Sequence, residues 1–187
     1  MALILASGSP RRRELMSLIT PDYTVITSDV DETKIAADSP AHLAKALATA
    51  KARAVAEENP DDVVCGFDTV VECEGEVFGK PKDEADARNM LKLLSGKKHS
   101  VYTGVTILGS QYSVTFFEQT KVKFYDLSDR DIDDYIATKE YTDKAGAYGI
   151  QGKGALLVEK IDGDFYNIVG LPIGTLNKEL EKFLANK

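Results

Sequence analysis

The sequence has no tryptophan, only two cysteines and two histidines, and no apolar run near the roughly 18 residues that span a bilayer. Cys65 and Cys73 fit no zinc spacing and are too few for a disulfide framework; if both lie in one strand pair, they read as core filler. His42 and His99 each stand without a second histidine nearby in sequence, and both read as structural. Positive charge is in deficit, with 23 Lys and Arg against 30 Asp and Glu, a net charge of −7. Such a surface repels phosphodiester polymers on average, which excludes a general nucleic-acid binder. No internal repeat, low-complexity tract or Pro/Gly/Ser-rich linker divides the chain. The expectation is a single domain over 1–187, with two lobes. The N-terminus opens on the strand-like Ala2-Leu3-Ile4-Leu5-Ala6 rather than a basic region and cleavage site, so the expected compartment is the cytosol.

What is present suffices for a folded enzyme-sized domain: 43% of positions are hydrophobic and 28% charged, enough to bury a core without staples. Ser9-Pro10 and Ser39-Pro40 each combine an N-cap residue with proline at the first helical position. They predict a helix to about Ile19, and a long one closing at Asn59-Pro60 with Leu43, Leu47, Ala50 and Ala54 at helical spacing. Tyr23 to Thr27 and Val63 to Phe67 read as strands, with Asp68 at the carboxyl end of the second. Val70-Val71 and Val77-Phe78 form a hairpin through Glu74-Gly75, and Glu84 to Leu94 an amphipathic helix with Met90, Leu91 and Leu94 inward. His99 to Leu108 and Tyr112 to Phe124 make a second hairpin, Ser128 caps another helix, Ala155 to Ile161 returns to strand, and a final helix follows Pro172. Strands and helices mix without strict alternation, which predicts an α/β fold with a mixed sheet and flanking helices.

Three constellations carry chemistry. In Ser7-Gly8-Ser9-Pro10-Arg11-Arg12-Arg13, three arginines crowd a helix N-terminus, where the dipole disfavours cations. An anion there would reconcile them, because backbone N–H groups and guanidinium forks converge on phosphate oxygens; the competing reading is a solvated charge run. Glu32 and Asp68 are carboxylates placed after apolar strands, suited to holding Mg²⁺ or Mn²⁺ with substrate phosphates and to activating water, although an Asp before Thr69 also suits a simple turn cap. Lys51, Lys80, Lys144 and Gln151 complete the set; Gly149-Ile150-Gln151-Gly152-Lys153-Gly154 is neither a Walker motif nor a dinucleotide fingerprint, but its glycines admit close approach of backbone to a ligand.

Taken in order, Ser7-Gly-Ser-Pro-Arg-Arg12, Asp31-Glu32, Lys51-Ala-Arg53, Phe67-Asp-Thr-Val-Val71, Gly79-Lys-Pro81, Ser95-Gly-x-x-His99 with Val101-x-Thr-Gly104, Asp143 to Gly152 and Asn167-x-Val-Gly-Leu-Pro172 resemble the successive signatures of the Maf, or septum-formation, family. The resemblance implies a Maf and inosine-triphosphatase-like fold with a cleft between two lobes, and hydrolysis of a nucleoside triphosphate to the monophosphate and pyrophosphate. It implies Asp68 as general base or metal ligand, Glu32 with Asp68 at a divalent cation, and Ser7, Arg11, Arg12, Lys51, Thr69, Lys80 and Gln151 as substrate-binding. Arg12, Thr69 and Gln151 match the subgroup acting on dTTP and UTP. Phe67 departs from the family, where Ala is more usual. A glutamine amide can match the donor-acceptor edge of a pyrimidine imide, and a site built on such bonds rejects bases that leave it unpaired. The expected partner is the nucleotide, with no nucleic acid and no membrane, and a homodimer is left open. The competing readings are a Maf pyrophosphatase with another base preference, such as 7-methyl-GTP, and a catalytically idle nucleotide-binding regulator of cell division; Asp68 and Glu32 argue against the idle site.

Overall fold

Both serine-proline pairs start helices, as their sequence predicts. In the computed structural model, which describes residues 1–185, Ser9 caps α1 (Pro10–Ile19) and Ser39 caps α2 (Pro40–Ala56), each side chain accepting from a backbone N–H of the first turn. The strands are β1 (Leu3–Ala6), β2 (Thr24–Val25), β3 (Val63–Cys73), β4 (Glu76–Phe78), β5 (Lys98–Leu108), β6 (Ser113–Phe124) and β7 (Val158–Asp162). The remaining helices are α3 (Glu84–Leu94), α4 (Asp129–Ala137), α5 (Phe165–Val169) and α6 (Ile173–Ala185). The seven strands form one sheet in the order β2-β1-β3-β5-β6-β7, with β4 paired to β3. It is mixed, as expected: β1 runs parallel to β2 and β3, whereas β3 with β4 and β6 with β7 are antiparallel. Among the described residues no helix is long and apolar enough to cross a membrane.

Three expectations need correction. Val63–Phe67 and Val70-Val71 are not separate strands but one, β3, so Asp68 lies within a strand and not at its carboxyl end. The polar pair Asp68-Thr69 reads as a break, yet the backbone stays extended because both side chains find protein partners and need no water. The sense of the placement survives, because the parallel neighbour β1 ends at Ala6, opposite Gly66, and Asp68 runs on past that end. The strand expected over Tyr23 to Thr27 shrinks to Thr24–Val25, and the segment after Gly154 stays in a tight 3₁₀ turn (Gly152–Leu157) before β7 begins at Val158.

The chain divides into two compact units, one of Met1–Thr69, Thr103–Glu118 and Gly170–Lys187, the other of Val70–Tyr102 and Gln119–Val169. In the first, Ile4, Ala6, Ala52, Val55 and Val64 form a core cluster between strands and α2. Gly66 permits that contact: a Cβ there would come 2.3 Å from the Ala48 carbonyl oxygen and 2.8 Å from the Ala52 nitrogen. In the second, α3 packs on α4, and Leu91, Leu94, Val122, Phe124 and Ile132 share a core. Met90, expected inward, is only partly buried at its margin. Both cysteines lie buried in β3, and burial pushes the Cys65 thiol up to about 12.

His99 is structural, as its sequence context suggests. It lies in the second core, 3% exposed, with Nε2 2.7 Å from the Tyr148 hydroxyl and its ring edge-on to Phe124. Burial lowers its pKa to about 4 from the ordinary 6.5. The unfolded chain therefore binds the proton first, and stability is lost as pH falls from 6.5 towards 4. The loss attributable to His99 alone is roughly 3 kcal/mol across that window. Urea unfolding of wild type and His99→Gln at pH 7 and pH 4.5 should show a distinctly shallower acid loss in the variant; equal losses would remove His99 as the cause.

Candidate functional site

Within the first unit, α2, β3 and the loop before α2 bring three charged groups to one point. Lys51, in the last turns of α2, sits one residue before Ala52, whose backbone meets Gly66. That contact sets its ammonium over β3, where it donates to Asp68 Oδ1 at 2.5 Å and pairs with Glu32 Oε1 at 2.8 Å. Glu32 arrives on a short 3₁₀ turn (Glu32–Lys34) whose preceding Asp31 accepts from the Thr33 N–H. Asp68 is only 8% exposed. Burial pushes its carboxyl above the ordinary carboxylate value, against the opposing pull of Lys51 and Arg12, while Glu32 adds to the rise.

Arg12 does something the sequence did not disclose. Its side chain turns inward from α1 and is spent largely on protein acceptors: Nε to the Gly170 carbonyl at 2.8 Å, Nη1 to Ser7 Oγ and the Phe67 carbonyl, both at 3.3 Å, and Nη2 to Thr69 Oγ1 at 3.1 Å. Of the five guanidinium N–H donors, these bonds leave one Nη2 donor among the described residues. The Phe67 ring, fully buried, lies with its centroid 5.8 Å from the guanidinium carbon and supplies a cation–π support. Burial pulls the Arg12 pKa below its ordinary value, with Asp68 opposing.

The same bonds define the neighbours. Ser7 Oγ accepts from Arg12 Nη1 and from the Ser9 N–H, each at 3.3 Å, which fills both lone pairs and leaves its proton to donate to an anion. Thr69 Oγ1 accepts from Arg12 and lies 2.9 Å from the hydroxyl of Thr103, a buried β5 residue that the sequence places in a family signature without showing its partner. Arg11 is partly exposed on α1 and Arg13 is exposed.

The structure thus gathers Ser7, Arg12, Glu32, Lys51, Asp68 and Thr69, and Arg11 stands on the same helix turn. Lys80 and Gln151 belong to the other unit. Lys80 is exposed after β4, on a loop fastened by the Gly146 N–H to the Gly79 carbonyl at 3.0 Å. Gln151 is exposed at the start of the Gly152–Leu157 turn. Lys144, by contrast, donates its ammonium to the Glu140 carbonyl.

Among the described residues no group of three or more His, Cys, Asp or Glu converges as a metal cage. Glu32 and Asp68 still converge on one point of positive charge, now taken by Lys51. Two carboxylates with oxygen ligands completed by a substrate suit a small hard cation that keeps waters of its own.

The chain is similar to known proteins over nearly its whole length. A family model described as Maf-like protein matches residues 2–183. The chain is 54% identical over 180 residues to a dTTP/UTP pyrophosphatase of Bacillus cytotoxicus, covering 96% of this chain and 94% of that protein. It is 53% identical over 181 residues to the dTTP/UTP pyrophosphatase of Bacillus cereus strain AH187, covering 97% and 95% respectively. The solved structure of the Staphylococcus aureus Ham1 protein shares the fold, with a TM-score of 0.50, 19% identity, and coverage of 66% of this chain and 72% of that one.

Proposed function

The chain belongs to the Maf-like protein family, and on that premise we infer that it is a hydrolase, a nucleoside triphosphate pyrophosphatase that converts dTTP and UTP to the monophosphate and pyrophosphate. The observation that carries the chemistry is the buried Asp68 carboxylate, bonded to Lys51 with Arg12 close behind. A base must be deprotonated yet avid for a proton, and burial raises Asp68 in that sense while Lys51 and Arg12 pull the other way.

Water adds across the bond between the α- and β-phosphates; its proton goes to Asp68, and pyrophosphate leaves. Ser7 Oγ donates its remaining proton to a phosphate oxygen, and Arg11, Lys51 and Lys80 offset the charge that develops as the bond breaks. Arg12 acts chiefly by holding Ser7, the Phe67 carbonyl, the Thr69 hydroxyl and the Gly170 turn in one frame. A divalent cation, Mg²⁺ or Mn²⁺, would be held by Glu32 and Asp68 and would supply Lewis-acid neutralisation of phosphate charge. Lys51 then serves as the ammonium that keeps the two carboxylates together between turnovers.

The preference for thymine and uracil is supported by the relatives' activity and by Arg12, Thr69 and Gln151. The Gln151 amide offers a donor and an acceptor to the imide edge. In Gln151→Glu the donor is lost and an acceptor faces an acceptor, a mispairing of about 1–3 kcal/mol, so kcat/KM for dTTP and UTP should fall roughly one to two orders of magnitude. Rates for dTTP, UTP, CTP and GTP with Mg²⁺ or Mn²⁺ in both proteins test this: wild type should favour dTTP and UTP, and the variant should lose that preference. A parallel fall in all four would mean that Gln151 shapes its loop without reading the base.

A further inference from the structure

The loop that carries Gln151 is clamped from outside by an acidic side chain with no part in phosphate chemistry. Glu140 follows α4 after a left-handed residue, Lys139 (φ 59°). Its own backbone is fixed at both ends, the N–H donating to Thr138 Oγ1 at 3.1 Å and the carbonyl accepting from the Lys144 ammonium. The carboxylate thus starts from a rigid base. Its Oε2 accepts from the Lys153 N–H at 2.9 Å, and a Cβ at Gly152 would fall 2.7 and 2.8 Å from its two oxygens. Gly152 has φ +64°, so position 152 suits glycine for backbone conformation and for room alike.

A second pin lies on the other side of Gln151, where the Gly149 N–H donates to the hydroxyl of Tyr135, a buried α4 residue, at 3.2 Å. The loop also closes on itself, since a Cβ on Gly154 would stand 1.9 Å from the Gly149 carbonyl oxygen. Gln151 therefore sits exposed on a short arch whose feet are both fastened to α4 and the turn after it. An exposed glutamine on a free loop would lose rotamer and backbone entropy whenever it paired with a base. An arch fixed beforehand avoids the backbone part of that loss.

We propose that Glu140 is a positioning residue for base recognition: its carboxylate, bonded to Lys153 N–H and laid against Gly152, sets the arch from which Gln151 meets the pyrimidine. The proposal deepens the functional reading above and rests on Gln151 reading the base. Glu140 does not touch the nucleotide. Its effect should accordingly fall on discrimination between bases, and on KM more than on kcat.

The test compares Glu140→Ala, Glu140→Gln and Gln151→Ala for kcat and KM on dTTP, UTP, CTP and GTP, with thermal melting alongside. In Glu140→Ala, kcat/KM for dTTP and UTP should fall about tenfold, mainly through KM, with CTP and GTP moving about threefold at most. Glu140→Gln keeps a carbonyl acceptor for the Lys153 N–H and should stay within about threefold of wild type on all four. Should Glu140→Ala not fold, Glu140→Asp carries the same comparison, because the shorter side chain withdraws the acceptor from Lys153 while keeping the charge. If Gln151→Ala abolishes the dTTP and UTP preference and the Glu140 variants keep it, the positioning role is overturned and the reading of Gln151 stands. If Gln151→Ala itself lowers all four rates in parallel, the base-reading role fails and the inference with it.

Discussion

Asp68→Asn should lower kcat for dTTP and UTP by about 100- to 10,000-fold, the range spanned by loss of a general base. The amide keeps the shape of the side chain and its bond to Lys51 but cannot take a proton from water, and it binds a hard cation poorly. The same substitution should raise the melting temperature. Burial lifts the Asp68 pKa in the folded protein above its unfolded value, so the folded state binds the extra proton between those two values and stability falls as pH rises through that window. Above the folded value the full penalty of the buried charge is present, and asparagine removes it. The acid limb of kcat/KM should for the same reason lie above the ordinary aspartate range of about 4. A variant with near wild-type turnover would take Asp68 out of the mechanism, and a variant melting well below wild type would show that the ion pair with Lys51 outweighs burial.

Gly66→Ala should damage fold and activity together. The new Cβ meets backbone atoms of α2, at 2.3 Å from the Ala48 oxygen, and backbone cannot rotate aside as a flexible side chain would. The helix must lift, and overpacking of this kind costs about 3 kcal/mol or more, equivalent to a fall in Tm of roughly 6–12 °C for a chain of this size. Lys51 lifts with the helix, away from Asp68 and Glu32, and a displacement near 1 Å can lower turnover about 100-fold. Calorimetry and steady-state kinetics on one preparation check both effects. An unchanged Tm would mean that α2 does not rest on β3 through Gly66.

Much of this was legible in the sequence because the signals are local. Ser9-Pro10 and Ser39-Pro40 mark helix starts through a cap and a fixed φ, and both helices begin there. Ser128 and Asp131 complete a capping box at α4, whose start was likewise legible. The errors came where distant residues decide the outcome. The polar pair Asp68-Thr69 looks like a strand end until Lys51, Arg12 and Thr103 are found beside it, and none of these is near in sequence. Three arginines at a helix N-terminus suggest an anion there, but nothing local in the sequence discloses that Arg12 spends most of its donors on Ser7, Phe67, Thr69 and Gly170. Asp68, Glu32 and Lys51 were named from sequence, but that one ammonium would join both carboxylates depends on Gly66 admitting α2. Glu140 carried no sequence signal, since its partner is a backbone N–H.

The protein should split dTTP and UTP between the α- and β-phosphates, with Asp68 taking the proton from water. Product analysis of purified protein with dTTP and Mg²⁺, wild type beside Asp68→Asn, decides both points. Wild type should give dTMP and pyrophosphate in equal amounts and no orthophosphate, and the variant almost no product. Orthophosphate with dTDP as the main products, or equal pyrophosphate yield from both proteins, would contradict this.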